Sequence, residues 1–157
     1  MIRVESTADA SILPAVLDIL HLAFAAQDGR VDPPSSVARE TIETLTTKLE
    51  AETLLIARDD DGTPVGCIFF KRLSEDEGYI GRLAVHPDHQ RQGIAHSLIE
   101  ASIEAAREAG VGRLGLDTRI ELTQNHALFR RHGFEVTSEH RHPGYDRTTY
   151  LHMERAL

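Results

Sequence analysis

The feature that most constrains this chain is a strand, a turn, one glycine and a long amphipathic helix in immediate succession. Tyr79 to Val85 reads as a strand, His86-Pro87-Asp88 as a turn, and Gln90-Arg91-Gln92-Gly93-Ile94-Ala95 as the approach to a helix. Beyond Gly93, Ile94, Leu98, Ile99, Ala101, Ser102, Ala105, Ala106 and Ala109 pack a small-residue helical face, and Gly110 is placed to end it. Glycine near a helix start is entropically costly, and serine or aspartate caps better. The bare backbone therefore suggests a use besides folding. A strand ending in a turn and a helix opening on glycine aim unpaired N–H groups and the positive end of a helix dipole at one point. Such a point suits an anion: Gly93 permits close approach, Ala95 keeps the next turn narrow, and Arg91 adds charge for a ligand such as a pyrophosphate. The alternative is a basic, flexible helix start with no ligand. The stretch matches neither the lysine-bearing phosphate loop nor the GxGxxG dinucleotide fingerprint.

The remaining segments surround this unit with more strands and helices. Ile2 to Glu5 is a short strand; Leu13, Val16, Leu17, Leu20 and Phe24 then recur at helical spacing, with Ser11 as cap and Pro14 in the first turn. Residues 27–34 form a loop, after which Ser35 or Ser36 caps a helix with Ala38, Ile42, Leu45 and Leu49 on one face. Thr53 to Arg58 and Pro64 to Lys71 are strands joined through Asp59-Asp60-Asp61-Gly62, a hairpin signal. Leu114, Leu116 and Thr118 mark another strand, and Thr123 to about His132 a helix stopped at Gly133. Strands from Phe134 to about His140 and from Thr148 to Met153 complete the order βααβββαβαββ. This predicts an α/β (α+β) fold, one mixed central sheet flanked by helices, in a single domain over residues 1–157.

Composition narrows the function classes. Twenty-five acidic against 17 basic side chains give a formal charge of −8, which would repel nucleic acid and modestly favours a cationic substrate. No apolar run approaches the roughly 20 residues that span a bilayer, and MIRVESTADA has neither the basic start nor the apolar middle of a leader. The single cysteine, Cys67, sits in an apolar strand with no disulfide partner, so a reducing, cytoplasmic setting is expected and Cys67 reads as core. Nine histidines raise a metal hypothesis, but they lack a carboxylate or cysteine cluster at familiar ligand spacing, and no metal is expected.

Leu83-Ala84-Val85-His86-Pro87-Asp88 followed by Gln90-Arg91-Gln92-Gly93-Ile94-Ala95 resembles the (Q/R)xxGx(G/A) acetyl-CoA signature of the GNAT superfamily of N-acetyltransferases. The resemblance extends to Glu108-Ala109-Gly110, to the segment from Asn125 through Gly133-Phe134, and to the element order of the whole chain. It implies acetyl-CoA as co-substrate and a primary amine of a small molecule or peptide as acceptor, with dimers common among relatives. By the same resemblance, the backbone of Leu83, Ala84 and Val85 lies along the pantetheine arm, Arg91 to His96 wrap the pyrophosphate, and Gln90 is a further cofactor-binding residue. The Leu116–Thr118 strand should splay from the Val85 strand to open a slot for the thioester. Asn125 and Phe129 should lie beside the pantetheine or thiol end, although an asparagine there serves equally as a cap.

Relatives usually transfer acetyl directly to a neutral amine, which requires an oxyanion donor, a proton route and sometimes an acid for the thiolate. The Val85 N–H is the oxyanion candidate. This chain departs from the family pattern at Phe129, where many relatives carry a tyrosine acid, and in Tyr79-Ile80-Gly81-Arg82, where many carry a glutamate base. Glu77 and Glu121 are the substitute carboxylates, each more readily read as solvated surface. The tail loop adds His142 as a proton acceptor and Tyr145 as a donor, unless His142 to Arg147 is only a turn. With the loop at 27–36 it would wall the acceptor pocket, a pairing that resembles one bacterial branch of the family. The rival reading is a catalytically weak acetyl-CoA-binding sensor or partner module.

Overall fold

The computed structural model describes residues 1–157. In chain order it contains β1 (Arg3–Thr7), α1 (Leu13–Ala25), α2 (Ile42–Ala51), β2 (Thr53–Arg58), β3 (Pro64–Arg72), β4 (Glu77–Val85) and α3 (Ile94–Glu108). Then follow β5 (Arg113–Arg119), α4 (Thr123–Arg131), β6 (Glu135–His140) and β7 (Tyr150–Ala156). The predicted order βααβββαβαββ is the observed one. The seven strands form one sheet in the order β1-β2-β3-β4-β5-β7-β6. Only β4 and β5 pair in parallel; every other neighbour is antiparallel.

Alternation along the central strands divides the core in two. Leu55, Ala57, Val65, Ile68, Phe70 and Ile80 meet Ile94, Leu98, Ile99 and Ile103 of α3 on one face. Leu54, Ile56, Cys67, Phe69 and Ala84 meet Leu13, Val16, Ile19 and Leu20 of α1 and Leu45 of α2 on the other. Successive side chains of a strand point to opposite faces, so burial on both sides produces the continuous apolar runs of β2 and β3. Each fully buried leucine or isoleucine contributes about 1.5–3 kcal/mol relative to exposure.

Local chemistry moves several predicted boundaries. Asp9, not Ser11, leads into α1, its Oδ1 accepting from the Ser11 N–H at 3.0 Å. The helix expected from Ser35 or Ser36 is split. Ser35 caps only a short 3₁₀ turn, Ser36–Arg39, and Glu40 turns extended. α2 starts afresh behind Thr41, whose hydroxyl accepts from Thr44 N at 3.2 Å while the Thr44 hydroxyl accepts from Thr41 N at 2.8 Å. The split frees the Glu40 carboxylate to accept from Arg82 at 3.2 Å, and it leaves Ile42 41% exposed, off the expected apolar face. β7 begins at Tyr150, two residues later than predicted, and the Thr149 hydroxyl before it is engaged by the His142 N–H at 2.8 Å.

Candidate active site

The site begins where two strands part. β4 and β5 share a ladder only from Glu77–Tyr79 to Arg113–Gly115, although β4 continues to Val85 and β5 to Arg119. Arg82 adopts a φ of 56° at an irregularity in the β3–β4 register, and such a bulge bends its strand and sharpens the twist. Beyond it, the His86 N–H donates to Val65 O at 2.8 Å. Antiparallel alternation then turns the N–H and C=O of Val85, and those of Leu83 two residues earlier, toward the edge that β5 has left. On the other side of β4, Ala84 is buried against α1, and only its backbone remains near the slot.

The start of α3 closes one end of this slot. Gly93 caps the helix at φ 78°, with no side-chain cap, and the first helical bond runs from Ser97 N to Gly93 O at 3.1 Å. The N–H groups of Ile94, Ala95 and His96 consequently lack helical partners. Arg91 is also left-handed, at φ 65°. A Cβ placed on Gly93 would meet no protein atom within 4 Å. Glycine is thus favoured by backbone conformation, and the space it leaves belongs to nothing in the protein. A concave row of N–H groups at a dipole's positive end, with Arg91 beside it, fits a phosphate-bearing ligand.

A cleft of about 1420 Å³ joins the helix start to the split strands. Leu83, Ala84, Val85, Gln90, Arg91, Gly93, Ile94, Ala95, His96, Asn125 and Phe129 all line it, as do His142 and Tyr145. Gln92 does not; its side chain is exposed away from the cleft. The Ile94 side chain is committed to the core, and the His96 imidazole faces His132 at 2.8 Å. Phe129 is 7% exposed and meets Phe134 edge to face. Thr118, opposite β4, has a buried hydroxyl with no hydrogen-bond partner.

Two candidate carboxylates fall outside the cleft. Glu77 is the first residue of β4, beside Arg113 at the closed end of the fork, because the strand starts two residues earlier than predicted. Glu121 is a tether, accepting from Asp32 N at 3.2 Å and lying 3.8 Å from Arg147. It joins the loop after α1 to the loop before β7. Tyr145 strengthens the same joint by donating to Asp32 at 2.6 Å, and this bond raises the pKa of its phenol. Arg147 adds contacts to the Asp32 carbonyl and carboxylate. His142 is held by Thr149 and stays neutral further into the acid range than an ordinary histidine, first through burial and then through Arg119.

One carboxylate does face the cleft. Asp117 receives the Tyr79 hydroxyl at 3.2 Å and lies 2.7 Å from His152 Nδ1. Burial, and then the charge of Asp117, pushes the Tyr79 phenol well above its usual range and keeps it a donor. Cys67, by contrast, is fully buried, with its thiol pushed up to about 12. It is core, as its sequence setting indicates.

A family model described as the acetyltransferase (GNAT) family matches residues 14–134. The chain belongs to this family. Mycothiol acetyltransferase of Propionibacterium freudenreichii is 35% identical over 88 residues, 54% of this chain and 28% of that relative. The ribosomal protein bS18-alanine N-acetyltransferase of Escherichia coli is 37% identical over 59 residues, 38% of this chain and 40% of the relative. The chain therefore spans less than half the length of these curated relatives. Among solved structures, the PaiA N-acetyltransferase of Thermoplasma acidophilum in complex with coenzyme A has a TM-score of 0.83 at 15% identity, covering 100% of this chain and 99% of that one. A GNAT family acetyltransferase from Elizabethkingia anophelis with acetyl-CoA bound has a TM-score of 0.73 at 20% identity, covering 99% and 98%. These likenesses show a shared fold.

Within this GNAT cleft, sequence reasoning missed Asp117 and the local charge. Asp117 stands between Leu116 and Thr118, two residues already expected on the splaying strand, and strand alternation alone would have turned it to the opposite face from them. The cleft is also basic. Arg30, Arg39, Lys48, Arg82, Arg91, Arg119, Arg131 and Arg141 line it, against the single carboxylate of Asp117. That sign opposes the cationic substrate suggested by the whole-chain charge of −8.

Proposed function

We propose that this chain transfers the acetyl group of acetyl-CoA to a primary amine by direct attack within a ternary complex. The observation that carries this reading is the split of β4 from β5, with the Val85 N–H turned into it and the bare α3 start at one end. On this reading the N–H groups at Gly93 to His96 and the Arg91 side chain hold the pyrophosphate. The open backbone edge of Leu83 and Val85 pairs with the pantetheine arm, with Asn125 beside it.

The amine nitrogen attacks the thioester carbon, and the C–N bond forms as the C–S bond breaks. Val85 N–H donates to the carbonyl oxygen as it gains charge. Asp117 takes a proton from the incoming ammonium, because it is the one carboxylate lining the cleft and Tyr79 and His152 hold it in place. His142, neutral in this setting, lies on the acceptor wall as a further proton acceptor. Phe129 has no proton to give, so sulfur departs as a thiolate, which its modest basicity permits, and is protonated from the nitrogen or solvent.

The test is thiol release from acetyl-CoA with a broad amine panel, with product masses read in parallel. An acceptor gaining one acetyl group in step with thiol release is expected. Tight acetyl-CoA binding without any transfer would instead establish the sensor reading, which the lack of a tyrosine at Phe129 favours.

A further inference from the structure

We propose that the acceptor amine carries its own anionic group, a carboxylate a few bonds away, as in an amino acid. This rests on the acetyl-transfer reading above and names the substrate class of the same cleft.

The argument starts from which cations are already engaged. Lys48 pairs with Glu52 at 2.8 Å and Arg82 with Glu40 at 3.2 Å. Arg119 donates to the carbonyls of Pro33 and Pro34, an interaction that leaves it partly desolvated. Arg91 and Arg131 belong to the α3 approach and the last turn of α4, the phosphate end of the cleft. Three cations remain: Arg30, Arg39 and Arg141. They line the loops on either side of the acceptor end, and none makes an ion pair or a side-chain hydrogen bond.

In a chain with 25 acidic and 17 basic side chains, three unpaired arginines lining one cleft run against composition. The loops that carry them are tied to each other by Tyr145 and Arg147 on Asp32 and by Arg119 on the two prolines, so their position is built into the fold. Asp117, the one carboxylate of the lining, supplies the opposite charge. An amine with a carboxylate sets its ammonium toward Asp117 and its carboxylate toward the arginines. A polyamine would press its second ammonium into that wall. Charges beyond roughly 8–10 Å are screened at physiological salt, so the lining decides this preference and the net charge does not. Arginine is the cation best matched to a planar carboxylate.

The experiment compares the proteinogenic amino acids with their carboxamides and with spermidine, at saturating acetyl-CoA. The best amino acid is expected to exceed its carboxamide about tenfold or more in kcat/KM, the discrimination of a charge-assisted hydrogen bond. Arg39→Gln and Arg141→Gln should each raise KM for the acid about tenfold, while leaving KM for its carboxamide and for acetyl-CoA unchanged. Both side chains are exposed, so the variants should fold. A carboxamide or spermidine preferred over every acid, or equal effects of the variants on acid and amide, overturns the proposal. If acetyl-CoA binds but no amine is acetylated, the transferase reading fails. Calorimetry of the same amines against the CoA-loaded protein then decides the anionic subsite: acid-selective uptake upholds it, and equal or absent uptake overturns it.

Discussion

Tyr79 and Asp117 meet across the point at which β4 and β5 separate, the phenol donating to the carboxylate at 3.2 Å. The last shared ladder pair is Tyr79 with Gly115, so Asp117 is the next residue of that face after pairing stops. A carboxylate at such a fork gains two donors, Tyr79 and His152, and keeps one side toward the cleft. The same loss of pairing that opens the slot therefore also leaves a carboxylate on its lining.

Asp117→Asn is expected to lower kcat by about 10²-fold or more, the usual share of general-base catalysis, with acetyl-CoA affinity unchanged. Tyr79→Phe should cost less, because His152 still holds the carboxylate. Steady-state kinetics on both variants check this. Wild-type turnover in Asp117→Asn would move the proton acceptor elsewhere, with His142 next in line.

Gly93→Val separates fold from ligand. Its left-handed backbone imposes strain of about 1–2 kcal/mol on any residue with a Cβ, while no protein atom lies within 4 Å to be struck. A modest fall in Tm and at least a tenfold loss of acetyl-CoA affinity are expected, measured by thermal melts and calorimetry. Unchanged affinity would remove the phosphate group from this helix start.

Stability should fall on mild acidification. Burial, and to a smaller degree His96, lowers the pKa of His132 from 6.5, while Glu100 opposes them. The unfolded state then binds more protons than the folded one, so stability present above about 6.5 is lost as pH falls through that value toward the lower native pKa. His142 is shifted in the same direction. Tm plotted against pH should lose part of its acid slope in His132→Gln and more of it in the double variant with His142→Gln. An unaltered slope in the double variant would place the titration elsewhere.

Direct transfer requires no cysteine. With its thiol pushed up to about 12 and buried, Cys67 should resist alkylation in the native state. Cys67→Ala should retain turnover, losing only packing. Abolished transfer in a folded Cys67→Ala protein would point to an acyl-enzyme on that thiol.

Legibility tracked the range of the interactions. The element order and the Gly93 helix start are local matters of periodicity and backbone preference, and both were readable. Ile103, a core residue of α3, lies outside the small-residue face that the spacing marks, because a pattern does not say how wide the buried stripe is. The break at Glu40 was not readable, since the arginine that holds the freed Glu40 carboxylate lies 42 positions away. Glu77 looked usable for a similar reason: its separation from Tyr79 is a sequence distance, while its remoteness from the cleft is set by pairing with Arg113.

By itself, the order of residues determined the succession of strands and helices, the bare glycine at the start of α3 and hence the family. These follow from side-chain periodicity and φ preferences that act over a few residues. Tertiary structure alone decided that Asp117 faces the cleft, that Glu121 is a tether, and that an acidic chain has a basic cleft. Those outcomes depend on which distant side chains share a wall, and Coulomb and hydrogen-bond energies fall off over ångströms of space, not positions along a chain.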